Sequence, residues 1–162
     1  MNTKTFKRII TIVELVLIGI IFLCFAGTCL NIDPIKGLDL DNMKYDGYHA
    51  FFGYGSEFDT SVGSVAIAIL LGIVGALGIV SMIFPKISVI FNSIIAILAI
   101  FAGVFIFLGT TEFMVVRYSQ SIEYFDYYCE VYLGYGAILA GISAFLIACG
   151  AIAQEIYAFI KR

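Results

Sequence analysis

Four apolar runs, at about residues 9–28, 62–84, 87–109 and 132–160, constrain this chain more than any other feature. Each reaches or exceeds the ~20 residues that a helix needs to cross the ~30 Å hydrocarbon core of a bilayer. That core offers the backbone no water, so only helices and closed barrels can span it. Continuous apolar runs exclude a barrel, whose strands alternate over ~10 residues. Between the runs lie two polar loops, 29–61 and 110–131, and a tight turn at Pro85-Lys86. The expected fold is therefore all-α: one membrane domain over residues 1–162, built as a four-transmembrane-helix bundle. A chain that is 62% hydrophobic and only 13% charged has no soluble alternative.

The cationic residues orient this bundle. Lys4, Lys7, Arg8, Lys86, Lys161 and Arg162 fall on one side, and only Lys36, Lys44 and Arg117 on the other. The positive-inside rule makes the first side cytoplasmic and places both termini inside. The outer loops then hold Asp33, Asp39, Asp41, Asp46, Glu57, Asp59, Glu112, Glu123, Asp126 and Glu130, a strongly acidic face. The basic start followed by an apolar run resembles a signal peptide. Yet the run is longer than the ~7–15 residues of such a segment and Glu14 interrupts it, so a retained first helix is expected.

The tripeptide G-Y-G occurs at residues 53–55 and 134–136. It is the core of potassium-channel selectivity filters, but those need a preceding Thr-Val and an apolar pore helix. Here Phe51-Phe52 precedes the first copy, and the second lies at the start of the fourth run. The glycines read instead as turn or close-approach positions. Every tyrosine except Tyr157 falls in the outer loops or at the outer helix ends. Tyr48, His49, Phe52, Tyr54, Tyr124, Tyr127 and Tyr128 form the expected outer contact surface, since aromatic rings with a polar tip suit an interface. His49, the single histidine, reads as a partner to a nearby acid or tyrosine.

Cys29 and Cys129 both fall at the outer membrane surface and form a candidate disulfide, which would close a loop of about 100 residues. Cys24 and Cys149 lie within spans as packing residues. Small residues recur at four-residue spacing: Gly136, Ala140, Ala144 and Ala148 in the fourth run, and Ser64, Ala68, Gly72 and Ala76 in the second. Ala96, Ala99 and Gly103 share a face of the third. Such rows let membrane helices approach closely, within the bundle or against a partner.

Glu14, Asn92, Gln154 and Glu155 form a candidate polar layer. Glu14 lies seven residues beyond Lys7, roughly 10 Å deep at ~1.5 Å per residue, and Asn92 and Glu155 lie at similar depth. Periodicity puts Asn92 on the Ala96–Ala99–Gly103 face and Glu155 on the Ala144–Ala148 face. An intramembrane carboxylate is costly. It stands either as a staple between helix ends, as a proton or cation site, or as a contact for a partner helix.

No catalytic or phosphate-binding motif occurs, and no Cys/His spacing indicates a metal. Asp39-Leu40-Asp41-Asn42 opens like a calcium loop, but Met43 and Lys44 occupy the next ligand and glycine positions. The acidic outer face has no nucleic-acid footprint. The chain is accordingly expected to be no enzyme and to need no cofactor or metal.

Four spans, internal termini, a longer first outer loop and a shorter second one resemble the claudin and MARVEL-type four-span proteins. This chain has no Trp, and its first loop has a single cysteine at its edge, so the resemblance is one of topology and transfers no functional residue. The Ile-rich helices also resemble small bacterial membrane proteins. The expected function is contact, with membrane lipid as surroundings and another membrane protein or a second copy as partner. The rival expectation is a small transporter or oligomeric channel that uses the polar layer.

Overall fold

A computed structural model of the chain describes residues 3–34, 42–53, 58–84, 87–111, 116–117 and 129–160. In chain order the elements are α1 (Thr3–Phe25), β1 (Thr28–Pro34), β2 (Met43–Asp46), the short α2 (Gly47–Ala50), β3 (Phe58–Asp59), α3 (Val62–Ile83), α4 (Ser88–Phe107), β4 (Val116–Arg117), β5 (Cys129–Leu133) and α5 (Tyr135–Ile160). The helices α1, α3, α4 and α5 are long and apolar enough to cross a membrane. They pack in the cyclic order α1, α3, α4, α5, with the α1–α3 seam the thinnest. The ends of α1 and α5 meet, where Phe6 lies 4.3 Å from Tyr157, ring to ring.

Residue size is segregated within the bundle. Large side chains such as Leu23, Ile69, Phe101 and Phe159 point outward. Alanines and glycines fill the contact faces: Gly136, Ala137, Ala140, Gly141, Ala144, Ala148 and Ala151 are all buried on α5. Asn92, Ala96, Ala99 and Gly103 share the buried face of α4. The row expected on the second span behaves differently. The buried stripe of α3 runs Gly63, Ser64, Ile67, Leu71, Val74, Gly78 and Ser81, whereas Gly72 and Ala76 are exposed. A strict four-residue row drifts around a 3.6-residue helix, and only the seam facing the neighbours stays covered.

The fold is not purely helical. Strands β2, β1 and β5 form an antiparallel sheet with β1 central, which joins the two long loops. Its register pairs Leu30 with Tyr45 and with Leu133, and Ile32 with Met43 and with Val131. These two apolar rows pack on the helix core. The opposite face carries Asn31 paired with Lys44 and Tyr132, and Asp33 paired with Glu130. Strand pairing also explains the helix ends. Residues 28 and 132–133, expected to be helical, belong to β1 and β5. At the other end α1 begins at Thr3, because the basic segment continues the helix.

The two G-Y-G copies serve chain geometry. Gly53 has φ 66°, the left-handed region that glycine adopts freely; Tyr54 and Gly55 lie outside the described residues. In the second copy, the Gly134 amide donates to the Cys29 carbonyl at 2.8 Å. A Cβ at Gly134 would collide with the Thr28 backbone, and one at Gly136 with the Cys24 carbonyl. Both glycines let the start of α5 lie against the turn that leaves α1.

The expected Cys29–Cys129 bridge is not formed. Cys29 is a free, fully buried thiol. The ladder sets Cys129 opposite Pro34, five residues along β1 from Cys29, or about 16 Å at ~3.3 Å per residue. A disulfide needs Cα atoms within ~7 Å. Burial pushes the Cys29 thiol up to about 12, opposed by a hydrogen bond from the Gly47 amide.

Three outcomes follow. Gly136→Ala lowers stability in detergent by about 1–3 kcal/mol, because the obstacle is backbone. Gly19→Ala, with nothing within 4 Å of its Cβ, leaves stability unchanged or raises it by up to about 1 kcal/mol. Thermal unfolding of the two variants reads the difference. Cys29 resists alkylation at neutral pH in the folded protein and reacts only after denaturation, without prior reduction; peptide mass mapping distinguishes this from a bridged pair.

Candidate functional site

Two regions hold the residues of interest, at opposite ends of the bundle. The first is a polar layer near the end where α1 begins and α5 finishes. Gln154 of α5 is its centre. Its Nε2 donates to Glu14 Oε1 at 3.0 Å and to Thr11 Oγ1 at 3.4 Å, both on α1. Its Oε1 accepts from Asn92 Nδ2 of α4 at 3.3 Å. Thr11, Asn92 and Gln154 are each 1% exposed and Glu14 is 3% exposed, so one level ties three helices. Gly150 makes room for it, since a Cβ there would lie 3.0 Å from Glu14 Oε1. Asn92 Oδ1 is buried with no hydrogen-bond partner among the described residues.

Glu155 does not join this layer. It accepts from Ser93 Oγ at 2.7 Å on the more exposed side of the α4–α5 contact. The buried stripe of α5 continues from Ala144 and Ala148 through Ala151 to Gln154. The next residue is turned about 100° away, which corrects the face expected for Glu155. Thr11 joins the layer through its bond to Gln154. An i, i+3 spacing from Thr11 to Glu14 was the available signal.

The second region lies at the sheet end. Asp46, the last residue of β2, caps α2: its Oδ1 accepts from the His49 amide at 2.9 Å, and its Oδ2 lies 2.7 Å from His49 Nδ1. Burial raises the Asp46 carboxyl, but the bonds from His49 outweigh it and hold the group below its usual range. Tyr48 donates to the Phe22 carbonyl at 2.9 Å. Phe25 is the hub beneath, edge-on to Phe22, Phe51 and Phe52 at centroid distances of 6.3, 5.9 and 5.7 Å.

Tyr48, His49 and Phe52 thereby come together, around a cleft of about 610 Å³ that Phe22, Ala26 and Asp46 complete. Tyr54, Tyr124, Tyr127 and Tyr128 lie outside the described residues. Sequence reasoning missed Phe22, Ala26 and Asp46 as cleft residues. The signal for Asp46 was its place three residues before His49, a helix-capping spacing. Phe22 and Ala26, one turn apart, belong to a span whose faces periodicity could not assign to lipid or loop. Among the described residues no cluster of three or more His, Cys, Asp or Glu could hold a metal ion.

The polar layer generates a stability prediction. Gln154→Leu strands the Asn92 and Glu14 side chains and costs about 1–3 kcal/mol for each polar group left unpaired. Glu14→Gln keeps a carbonyl oxygen for the Gln154 amide and keeps the folded yield. Size-exclusion profiles and thermal unfolding in detergent compare the two.

The chain matches no family model, and neither a curated protein nor a solved structure matches it.

Proposed function

We propose that this chain is a multi-pass plasma-membrane protein, bacterial in character, that works by protein–protein contact and not by catalysis. Both termini are cytoplasmic in this reading, and the sheet end faces outward as a platform for a partner. The carrying observation is the cleft walled by Tyr48, His49 and Phe52. Rigid aromatic rings supply contact area at low entropic cost, and a polar rim orients the partner. The β1–β5 pairing braces the platform by linking both loops. The exposed Gly72 and Ala76 on α3 suit close docking of a partner's helix. The claudin- and MARVEL-like resemblance in topology belongs to the same reading.

A small transporter or oligomeric channel is the second reading. The observation favouring it is the buried Glu14, tied through Gln154 to Asn92, whose Oδ1 has no hydrogen-bond partner among the described residues. Against a route through one subunit, Ile67, Leu71, Val74, Ile95 and Ile147 fill the bundle between the polar layer and the sheet.

Native mass measurement of the complex, extracted directly into lipid nanodiscs from its source membrane, separates the two. The contact reading expects a stoichiometric second protein whose retention falls about tenfold or more in Phe52→Ala and Tyr48→Ala at unchanged folded yield. A symmetric homo-oligomer that conducts cations, and loses flux in Glu14→Gln, overturns contact in favour of transport.

A further inference from the structure

A second cleft, of about 300 Å³, opens at the end opposite the sheet. Lys4, Lys7 and Arg8 of α1 wall it, together with Thr11, Ser81, Ser88 and Gln154. Its floor is built and not a chance surface groove. Thr11, Ser88 and Gln154 are 1% exposed and Ser81 7%, and Lys7 Nζ donates to Ser88 Oγ at 2.6 Å. Glu14, bonded to Gln154, lies in the layer beneath. Three cations over a floor of hydroxyls and an amide present donors to an anion, the pattern that phosphate oxygens take.

The cleft is not closed against the lipid. A groove of about 520 Å³ shares Lys4, Arg8 and Met82 with it and continues over Ile12 and Ile83. Those two side chains are 53% and 62% exposed on the apolar surface of the spans. This is the α1–α3 seam, the loosest of the bundle. A cationic, hydroxyl-lined pocket that runs into an apolar groove along a helix seam has the polarity of a phospholipid. At about 30 Å³ per water, the pocket holds roughly ten waters, or the about ten non-hydrogen atoms of a glycerol phosphate.

We propose that this cleft binds the phosphate headgroup of an anionic phospholipid, with an acyl chain lying in the groove between α1 and α3. Basic pockets between helices at the membrane surface suit such headgroups. Bound there, the lipid fills the seam that protein contacts leave thinnest and joins α1 to α3. A free phosphate meets the same donors but leaves the apolar groove empty, which favours the lipid.

The test is native mass spectrometry of the full chain from nanodiscs of phosphatidylglycerol mixed with phosphatidylcholine. Retention of phosphatidylglycerol in preference to phosphatidylcholine is expected. Lys4→Gln combined with Arg8→Gln weakens that retention about thirtyfold, at about fivefold per cation, and Lys44→Gln on β2 does not. Equal retention of both lipids, or full retention in the double variant, overturns the proposal. Displacement of the lipid by millimolar inorganic phosphate also overturns it, in favour of a soluble phosphate site. If the double variant does not fold, the wild-type preference between the two lipids and the phosphate competition decide the matter.

Discussion

Helix α5 contacts both α1 and α4 because its inward face is made mostly of glycine and alanine. Gly136, Ala137, Ala140, Gly141, Ala144, Ala148 and Ala151 are buried there. Lipid tails are as apolar as leucine, so burying a leucine between helices yields little over leaving it in lipid. Close approach gains dispersion contacts that lipid does not match, and small residues permit it. Along most of α5 the size pattern of a soluble core is thus reversed, with bulky residues such as Leu139 and Leu146 outward and alanine inward. The same small face lets the β1 turn cross the start of α5, because Gly134 and Gly136 yield space to Thr28 and Cys24.

Close packing of smooth faces leaves register weakly defined, and the polar ties supply what it lacks. Gln154 reaches two helices from a third, in surroundings where its amide would otherwise lose its partners. Slipping α5 by one turn would leave Glu14 and Asn92 buried with fewer partners. At the other end the sheet does the corresponding work. Leu30, Ile32, Val131 and Leu133 lie on one face, so a one-residue slip would turn that set away from the helix core. The bundle is therefore fixed at both ends and smooth between them.

The ends differ in what they offer a ligand. At the sheet end the cleft is aromatic, with the Asp46–His49 pair at its rim and Phe25 beneath. At the other end the cleft is cationic and opens onto the thin α1–α3 seam. A protein partner at one end and a lipid at the other would both act on α1, which with the turn after it lends Phe22 and Ala26 to the first cleft and by itself lends Lys4, Lys7, Arg8 and Thr11 to the second.

The sequence by itself determined that four helices can span a membrane, because a long apolar run in lipid has no other way to satisfy its backbone. It also brought out Glu14, Asn92 and Gln154, whose depth follows from helical rise along each span. Tertiary structure decided what depended on contacts between distant segments. The sheet pairs residues about a hundred positions apart, and its strands are too short and too near the helix ends for periodicity to separate them. Glu155 and Gln154 are adjacent in the chain, and only the neighbours of α5 could select which of them faces inward. Cys29 and Cys129 share a side of the bundle, but a ladder register keeps them apart, and register is a property of paired strands that neither strand carries alone.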